Sequence, residues 1–328
     1  MTIGLTYDLR DDYLAEGYTE EQVAEFDSRT TIDALDAAIT SLGYRADRIG
    51  NGRALCRRLA AGERWELVFN IAEGAKGRCR EAQVPALLEL YDIPYTMSDP
   101  LVCAVTLDKA MTKRLVQAAG VRTPAFALIG APGELSAVNL GYPLFAKPVA
   151  EGTGKGVDSR SRVGNAAELA ATVTRLLGQF AQPVLVEEYL PGREFTTGLL
   201  GTGNAARVLG TMEVCILAHA PTRDYSFEVK EKCESLVKYQ PLEPGALRRE
   251  AEELALRAYR ALECRDCGRI DIRLDREGRP AFIVVNPLPG LHPTHSDLPM
   301  IAAQEGMAYR DLLGAIIASA LSRYPRRA

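Results

Sequence analysis

The chain lacks any apolar run near the ~20 residues that a membrane-spanning helix needs, and its opening segment, "MTIGLTYDLRDDYL", meets acidic residues too early for a secretory signal. An excess of one charge is also missing. Thirty-nine Lys and Arg stand against 43 Asp and Glu, for a net charge of −4 and a pI near 5.6. That balance gives no general attraction to nucleic acid or an anionic membrane, so any phosphate must be bound by a local cationic pocket. There is no disulfide framework either: seven cysteines, an odd number, are scattered without a signal segment. Reduced thiols and a cytoplasmic location are expected. Cys264 and Cys267 form a CxxC, but no second CxxC or HxxxH supplies two more ligands, and His292 and His295 are only loose candidates, so a structural zinc is not expected. Internal repeats and low-complexity linkers are absent, and the units should pack closely.

What remains is 328 residues, 47% hydrophobic and 25% charged, enough for two or three packed units of a soluble globular protein. The first hundred residues alternate short apolar runs with amphipathic patterns. In "TTIDALDAAITSLG", Ile32, Leu35, Ala38, Ile39 and Leu42 recur at helical spacing and Gly43 ends the run. Strand, helix, strand, helix predicts an open α/β unit whose ligand loops, including "NIAEGAKGRCRE", lie at the carboxyl ends of strands. "SDPLVCAVTLDKAMTKRLVQAAGV" predicts another helix, capped by Ser98 or Asp99 and stopped at Gly120. Strand-like "TPAFALI", "YPLFAKPV" and "PVLVEEYL", with the helix "NAAELAATVTRLLGQF", predict an α+β unit. A strand-rich region and two helices complete the chain.

"KPVAEGTGKGVDS", Lys147 to Ser159, is a candidate ligand loop: Gly152, Gly154 and Gly156 let the backbone approach a ligand and offer N–H groups to phosphate, and Lys147 adds positive charge. It is not a Walker A loop, and taken alone it could equally be a surface turn. "GTGNAA" at Gly201 imitates a dinucleotide fingerprint, but a strand pattern follows it, so it reads as a hairpin turn. "LVEEYLPGREF" places Glu187, Glu188 and Glu194 around a chain break, suited to the amino and hydroxyl groups of a nucleoside or simply to a solvated edge. In "GRIDIRLDREGRPAFIVVNPLPG" the turn residues Asp275 to Gly278 predict a β-hairpin that brings Asp271 and Asn286 together, with Val284 on the same face as Asn286.

In this order, "VFNIAEG", "EAQVPALLELYDIPYT", "LDKAMTK", "KPVAEGTGKGV", "VEEYLPGREF", "RIDIRLD" and "VNPLPGL" with "HSDLPMIA" resemble the D-alanine:D-alanine ligase-like branch of the ATP-grasp superfamily over roughly residues 68 to 310. The resemblance implies a three-domain ATP-grasp fold, α/β and α+β, with an N-terminal open parallel α/β domain at residues 1–100, a central ATP-grasp subdomain at 101–195 and a C-terminal one at 196–328. It implies a ligase in which ATP phosphorylates a carboxylate and an amine displaces phosphate from the acyl phosphate. Lys113 and Lys147 would contact phosphates. Glu187, Glu188, Tyr189 and Leu190 would line the adenine, and Glu194 would accept from the ribose. Glu151, Gly152, Thr153 and Gly154 would close over the reacting phosphate, and Lys230 would reach it from a mobile lid. Arg269 and the Gly290 N–H would stabilise the oxyanion, and Asp271 and Asn286 would hold Mg2+ or Mn2+. Glu25 would hold a substrate ammonium, while Ser296 and Leu298 would contact the second amino acid. The partners implied are amino acids, with a homodimer possible and no nucleic acid or membrane.

The sequence departs from that pattern at several points. The glutamate expected two residues before the metal-binding asparagine is Val284. That leaves three readings: a weakened enzyme, a metal site completed by another carboxylate, or a nucleotide-binding relative with little catalysis. The N-terminal substrate signature is replaced by "TYDLRDDYLAEGYTEEQVAEFDS", Glu231 stands where a tyrosine is usual, and Asp297 lies between the two expected substrate contacts. These changes suggest a ligase for a specialised peptide or natural product.

Overall fold

The computed structural model describes residues 1–220, 229 and 232–324. Three sheets organise them. Strands β1 (Thr2–Thr6), β2 (Arg45–Gly50) and β3 (Leu67–Asn70) are parallel in the order β2-β1-β3. Helices α1 (Arg10–Ala15), α2 (Arg29–Ser41), α3 (Gly52–Ala60) and α4 (Gln83–Leu90) connect or flank them. The α2 start follows from Ser28, whose hydroxyl accepts from the Thr31 N–H at 3.2 Å, and its apolar stripe buries Ile32, Leu35, Ala38 and Ile39. This is the open α/β unit expected from the sequence.

The stretch expected to form one helix is two, α5 (Pro100–Leu107) and α6 (Lys109–Ala118). Asp108 adopts an extended conformation between them, and its Oδ1 accepts from the N–H groups of Ala110 and Met111 at 3.1 and 3.0 Å. A side chain that caps a new helix competes with continuation of the old one. The second sheet, in the order β4-β7-β5-β6, contains β4 (Phe126–Ile129), β5 (Leu144–Pro148), β6 (Arg162–Val163) and β7 (Val184–Glu188), with α7 (Ala166–Phe180) packed on it.

The third sheet runs β10-β9-β8-β11-β12. It is built from β8 (Glu194–Leu200), β9 (Arg207–Ile216), β10 (Val237–Pro241), β11 (Cys267–Leu274) and β12 (Pro280–Asn286), with α8 (Cys233–Leu236), α9 (Ala246–Ala261), α10 (Asp297–Gln304) and α11 (Tyr309–Arg323) around it. "GTGNAA" joins β8 and β9 as the hairpin turn expected. Helix α9 buries Ala251, Leu254, Ala255 and Ala258 beside Phe195, Ile270 and Phe282. Helix α11 returns to the first unit, where Leu312, Leu313, Ile316 and Ile317 share a core with Ile3, Leu5, Ile32 and Leu35. All seven cysteines are free, and Cys264 and Cys267 are buried. Among the described residues no helix is long and apolar enough to cross a membrane.

Candidate active site

A cavity of about 600 Å³ lies where the second sheet, the third sheet and loops of the first unit meet. Its floor follows from the register of β11 and β12. Arg269 pairs with Asn286 and Asp271 with Val284, and Ile283 is the extra residue of a bulge between Phe282 and Val284. Residues directly opposite in an antiparallel pair share a face. Arg269, Asp271, Val284 and Asn286 therefore form one patch, and all four line the cavity. The Asp271 Oδ1 accepts from the Thr196 hydroxyl at 3.0 Å and from Arg269 Nη1. The same Arg269 nitrogen lies 3.2 Å from Asp297 Oδ2, so the guanidinium is held between two carboxylates.

A buried charge cluster forms the opposite wall. Phe145 and Lys147 of β5 share a face with Leu185 and Glu187 of β7, and α6 covers that face. Glu187 Oε1 lies 2.5 Å from Lys147 Nζ and Oε2 lies 2.9 Å from Lys113 Nζ. Burial alone would raise the Glu187 carboxyl, but the ammonium groups of Lys113 and Lys147 hold it down at about 2. Burial pulls Lys113 down to about 8 against the attraction of Glu187, and its ammonium also donates to Thr123 Oγ1 at 2.7 Å. Lys113 is fully buried and is not on the cavity wall. Lys109, one turn earlier, is. Burial first and the neighbouring Lys147 second lower Lys109 to about 8, and its ammonium donates to the Glu151 carbonyl.

At the far side of this wall Tyr189 makes a flat platform. Its ring lies 6.3 Å from Phe145 at 27°, with the guanidinium groups of Arg162 at 4.4 Å and Arg273 at 5.0 Å. Arg273 Nη2 donates to the Tyr189 hydroxyl at 3.1 Å and Nη1 lies 3.8 Å from Glu194. Glu187, Glu188, Tyr189, Leu190 and Glu194 all border the cavity here, an arrangement that can receive an aromatic base beside hydroxyl groups.

The glycine-rich loop is held shut by ion pairs. Lys155 Nζ lies 2.7 Å from Glu151 Oε2 and 2.8 Å from Glu25 Oε2. Arg80 reaches the same Glu25 oxygen at 3.1 Å and the Ala150 carbonyl at 3.0 Å. Burial would raise Glu25, but Arg80 and then Lys155 hold it below the ordinary carboxylate range. The glycines that were expected to make room for a ligand also make room for the protein: a Cβ on Gly152 would stand 2.1 Å from Glu25 Oε1, and one on Gly156 would stand 2.6 Å from Pro148 Cγ. Thr153, Gly154 and Gly156 adopt positive φ values of 48°, 72° and 74°.

The remaining expected residues divide. Gly290 and Ser296 border the cavity, and Ser296 Oγ accepts from the His292 N–H at 2.9 Å, fixing the loop between them. Leu298 does not reach it: its side chain is fully buried in the core, because it lies on the face of α10 that packs against the third sheet. Lys230 and Glu231 fall outside the described residues. Sequence reasoning passed over Lys109, Lys155, Arg80, Glu73, Glu81 and Arg273. All six stand inside motifs that were singled out, so membership of "LDKAMTK", the glycine loop, "NIAEGAKGRCRE" and "RIDIRLD" was an available signal.

Residues 115–318 match the family described as D-ala D-ala ligase C-terminus. The D-alanine–D-alanine ligase of Bordetella petrii is 37% identical over 287 residues, covering 86% of this chain and 84% of that protein. That of Bordetella pertussis is 38% identical over 287 residues, covering 86% and 87%. A crystal structure of D-alanine–D-alanine ligase from Bacillus anthracis complexed with ATP superposes with a TM-score of 0.75 and 22% identity, covering 98% of this chain and 97% of that one, a likeness of fold.

Proposed function

The chain belongs to the D-alanine–D-alanine ligase family, and on that premise we propose that it uses ATP to join two amino acids through an acyl phosphate. The observation that carries the reading is the facing of two walls across one cavity. On one side are Lys147, Lys109, Glu187 and Tyr189, and on the other are Arg269, Asp271 and Asn286. In the first step a carboxylate oxygen of one amino acid attacks the terminal phosphorus of ATP and ADP leaves. In the second, the amine of the other attacks the acyl carbon, the carbon–oxygen bond to phosphate breaks, and inorganic phosphate and a proton are released.

In this reading Tyr189 stacks with the base, Glu194 accepts from the ribose, and Lys147 and Lys109 neutralise the phosphates. Lys113 acts through Glu187, which it shares with Lys147. Arg269, held in place by Asp271 and Asp297, points its charge at the oxyanion that forms on the acyl carbon, with the Gly290 N–H as the second donor. Thr153 and the loop around it exclude water from the acyl phosphate. Ser296 shapes the end of the cavity where the second amino acid enters. We carry into this reading the division into residues 1–100, 101–195 and 196–328.

The donors fit one divalent ion. Asp271 Oδ2 has no hydrogen bond among the described residues, and Asn286 adds an amide. Mg2+ held by this pair would draw charge from the phosphate oxygens. No group of three or more His, Cys, Asp or Glu among the described residues is arranged to hold a metal, and Val284 directly opposite Asp271 is the reason the set stops at two. That observation favours a second reading, a nucleotide-binding protein with little catalysis. ADP release with Mg-ATP and a panel of D- and L-amino acids, run on the parent chain and Val284→Glu together, separates the two. Turnover by the parent supports the ligase. Turnover by Val284→Glu alone supports the silenced scaffold.

A further inference from the structure

Two carboxylates on the cavity wall, Glu73 and Glu81, have no partner among the described residues. Glu81 is 8% exposed, and neither its side chain nor that of Glu73 takes part in a hydrogen bond or ion pair among the described residues. Both line the cavity. They follow β3, where "EGAKGRCRE" wraps back toward α4. Burial, then the nearby Glu81 and Glu25 carboxylates, push Glu73 well above the ordinary range. Burial also raises Glu81 to about 7, although Arg80 pulls the other way. Arg80 does not pair with its neighbour: its guanidinium turns to Glu25 and the Ala150 carbonyl. A buried carboxylate without a cation costs stability, and the cost is recovered when a ligand brings the missing charge.

Glu25, by contrast, already has its charge matched. Its carboxylate contacts both Lys155 and Arg80, and those contacts hold the glycine-rich loop, so little of its charge is left for a third cation. We propose that Glu73 and Glu81 receive the ammonium group of an amino-acid substrate, the role the resemblance gives to Glu25. This rests on the ligase reading of the cavity. An ammonium has three N–H donors, which two carboxylates can accept while restoring their own charge. The same chemistry is offered by an α-ammonium and by the side-chain ammonium of a basic amino acid.

The test is binding, read apart from turnover. Alanine and lysine of both hands, with their Nα-acetyl and Nε-acetyl forms, are titrated into the full chain saturated with a non-hydrolysable ATP analogue. Glu73→Gln and Glu81→Gln should each weaken binding of an amino acid at least tenfold, leave affinity for the ATP analogue within twofold, and leave the unfolding midpoint of the ligand-free protein unchanged or higher. Loss of binding on Nα-acetylation assigns the α-ammonium, and loss on Nε-acetylation assigns the side chain. Unchanged affinity in both variants, a lowered midpoint in either, loss confined to Glu25→Gln, or no binding of any of these amines to the parent chain overturns the assignment. Binding without ADP release would sink the ligase reading and leave this one standing.

Discussion

Replacing Glu187 with glutamine keeps the shape of the side chain and removes the charge that two lysines share. The fall of its carboxyl from 4.5 to about 2 corresponds to roughly 3 kcal/mol, at the lower edge of the ~3–5 kcal/mol that breaking a buried pair costs. Because the folded value is depressed, this stabilisation is fully present above pH 4.5 and is lost as pH falls toward 2. At pH 7 the variant therefore forfeits all of it. Lys113, already drawn down to about 8, can shed its proton in the variant, which keeps the loss near the low end. At roughly 2–4 °C per kcal/mol, thermal unfolding at pH 7 without nucleotide should shift down by about 6–12 °C. A saturating ATP analogue should narrow the gap, since its phosphates give Lys147 a new partner. A nucleotide-free midpoint within about 1 °C of the parent would refute the reasoning. Glu187 would then be only a contact for the base.

Three further outcomes follow from the same geometry. Lys109 carries its proton below about pH 8, so the KM for ATP should be flat below that pH and rise by up to about tenfold per unit above it; Lys109→Arg should remove the rise, and a rise that survives the substitution would clear Lys109 of the role. Gly156→Ala puts a Cβ 2.6 Å from Pro148 Cγ and 2.8 Å from Phe180 Cε2 at a φ of 74°, and urea unfolding should show a loss of about 1–3 kcal/mol. Val284→Glu adds a carboxylate opposite Asp271 and should tighten Mn2+ binding in the presence of ADP at least tenfold; an unchanged Mn2+ titration would mean that no ion reaches this face.

The fold was legible where periodicity and turn chemistry agree. The stripe from Ile32 to Ile39, the "GTGNAA" turn and the Asp275 to Gly278 hairpin form as the sequence predicts, and the hairpin register brings Arg269, Asp271, Val284 and Asn286 onto one patch. The break at Asp108 was not legible, because cap and helix interior compete for the same residue and apolar spacing does not show which wins. The burial of the Leu298 side chain was not legible for a different reason: a short motif names a residue without saying which side of the helix meets the sheet. The pairing of Glu25 with Arg80 and Lys155 was not legible, although both lie in motifs that were singled out, because they stand 55 and 130 residues away in the chain. Pairings that distant leave no periodic trace.

The central claim, an acyl phosphate formed from ATP on the carboxylate of an amino acid, is tested most directly by isotope transfer. An amino acid labelled with oxygen-18 in its carboxylate is turned over with Mg-ATP by the parent chain, and the released inorganic phosphate is analysed by mass. The account predicts one labelled oxygen in each phosphate released with product, because the carboxylate oxygen that attacks phosphorus leaves with it. Product formed with unlabelled phosphate would contradict it.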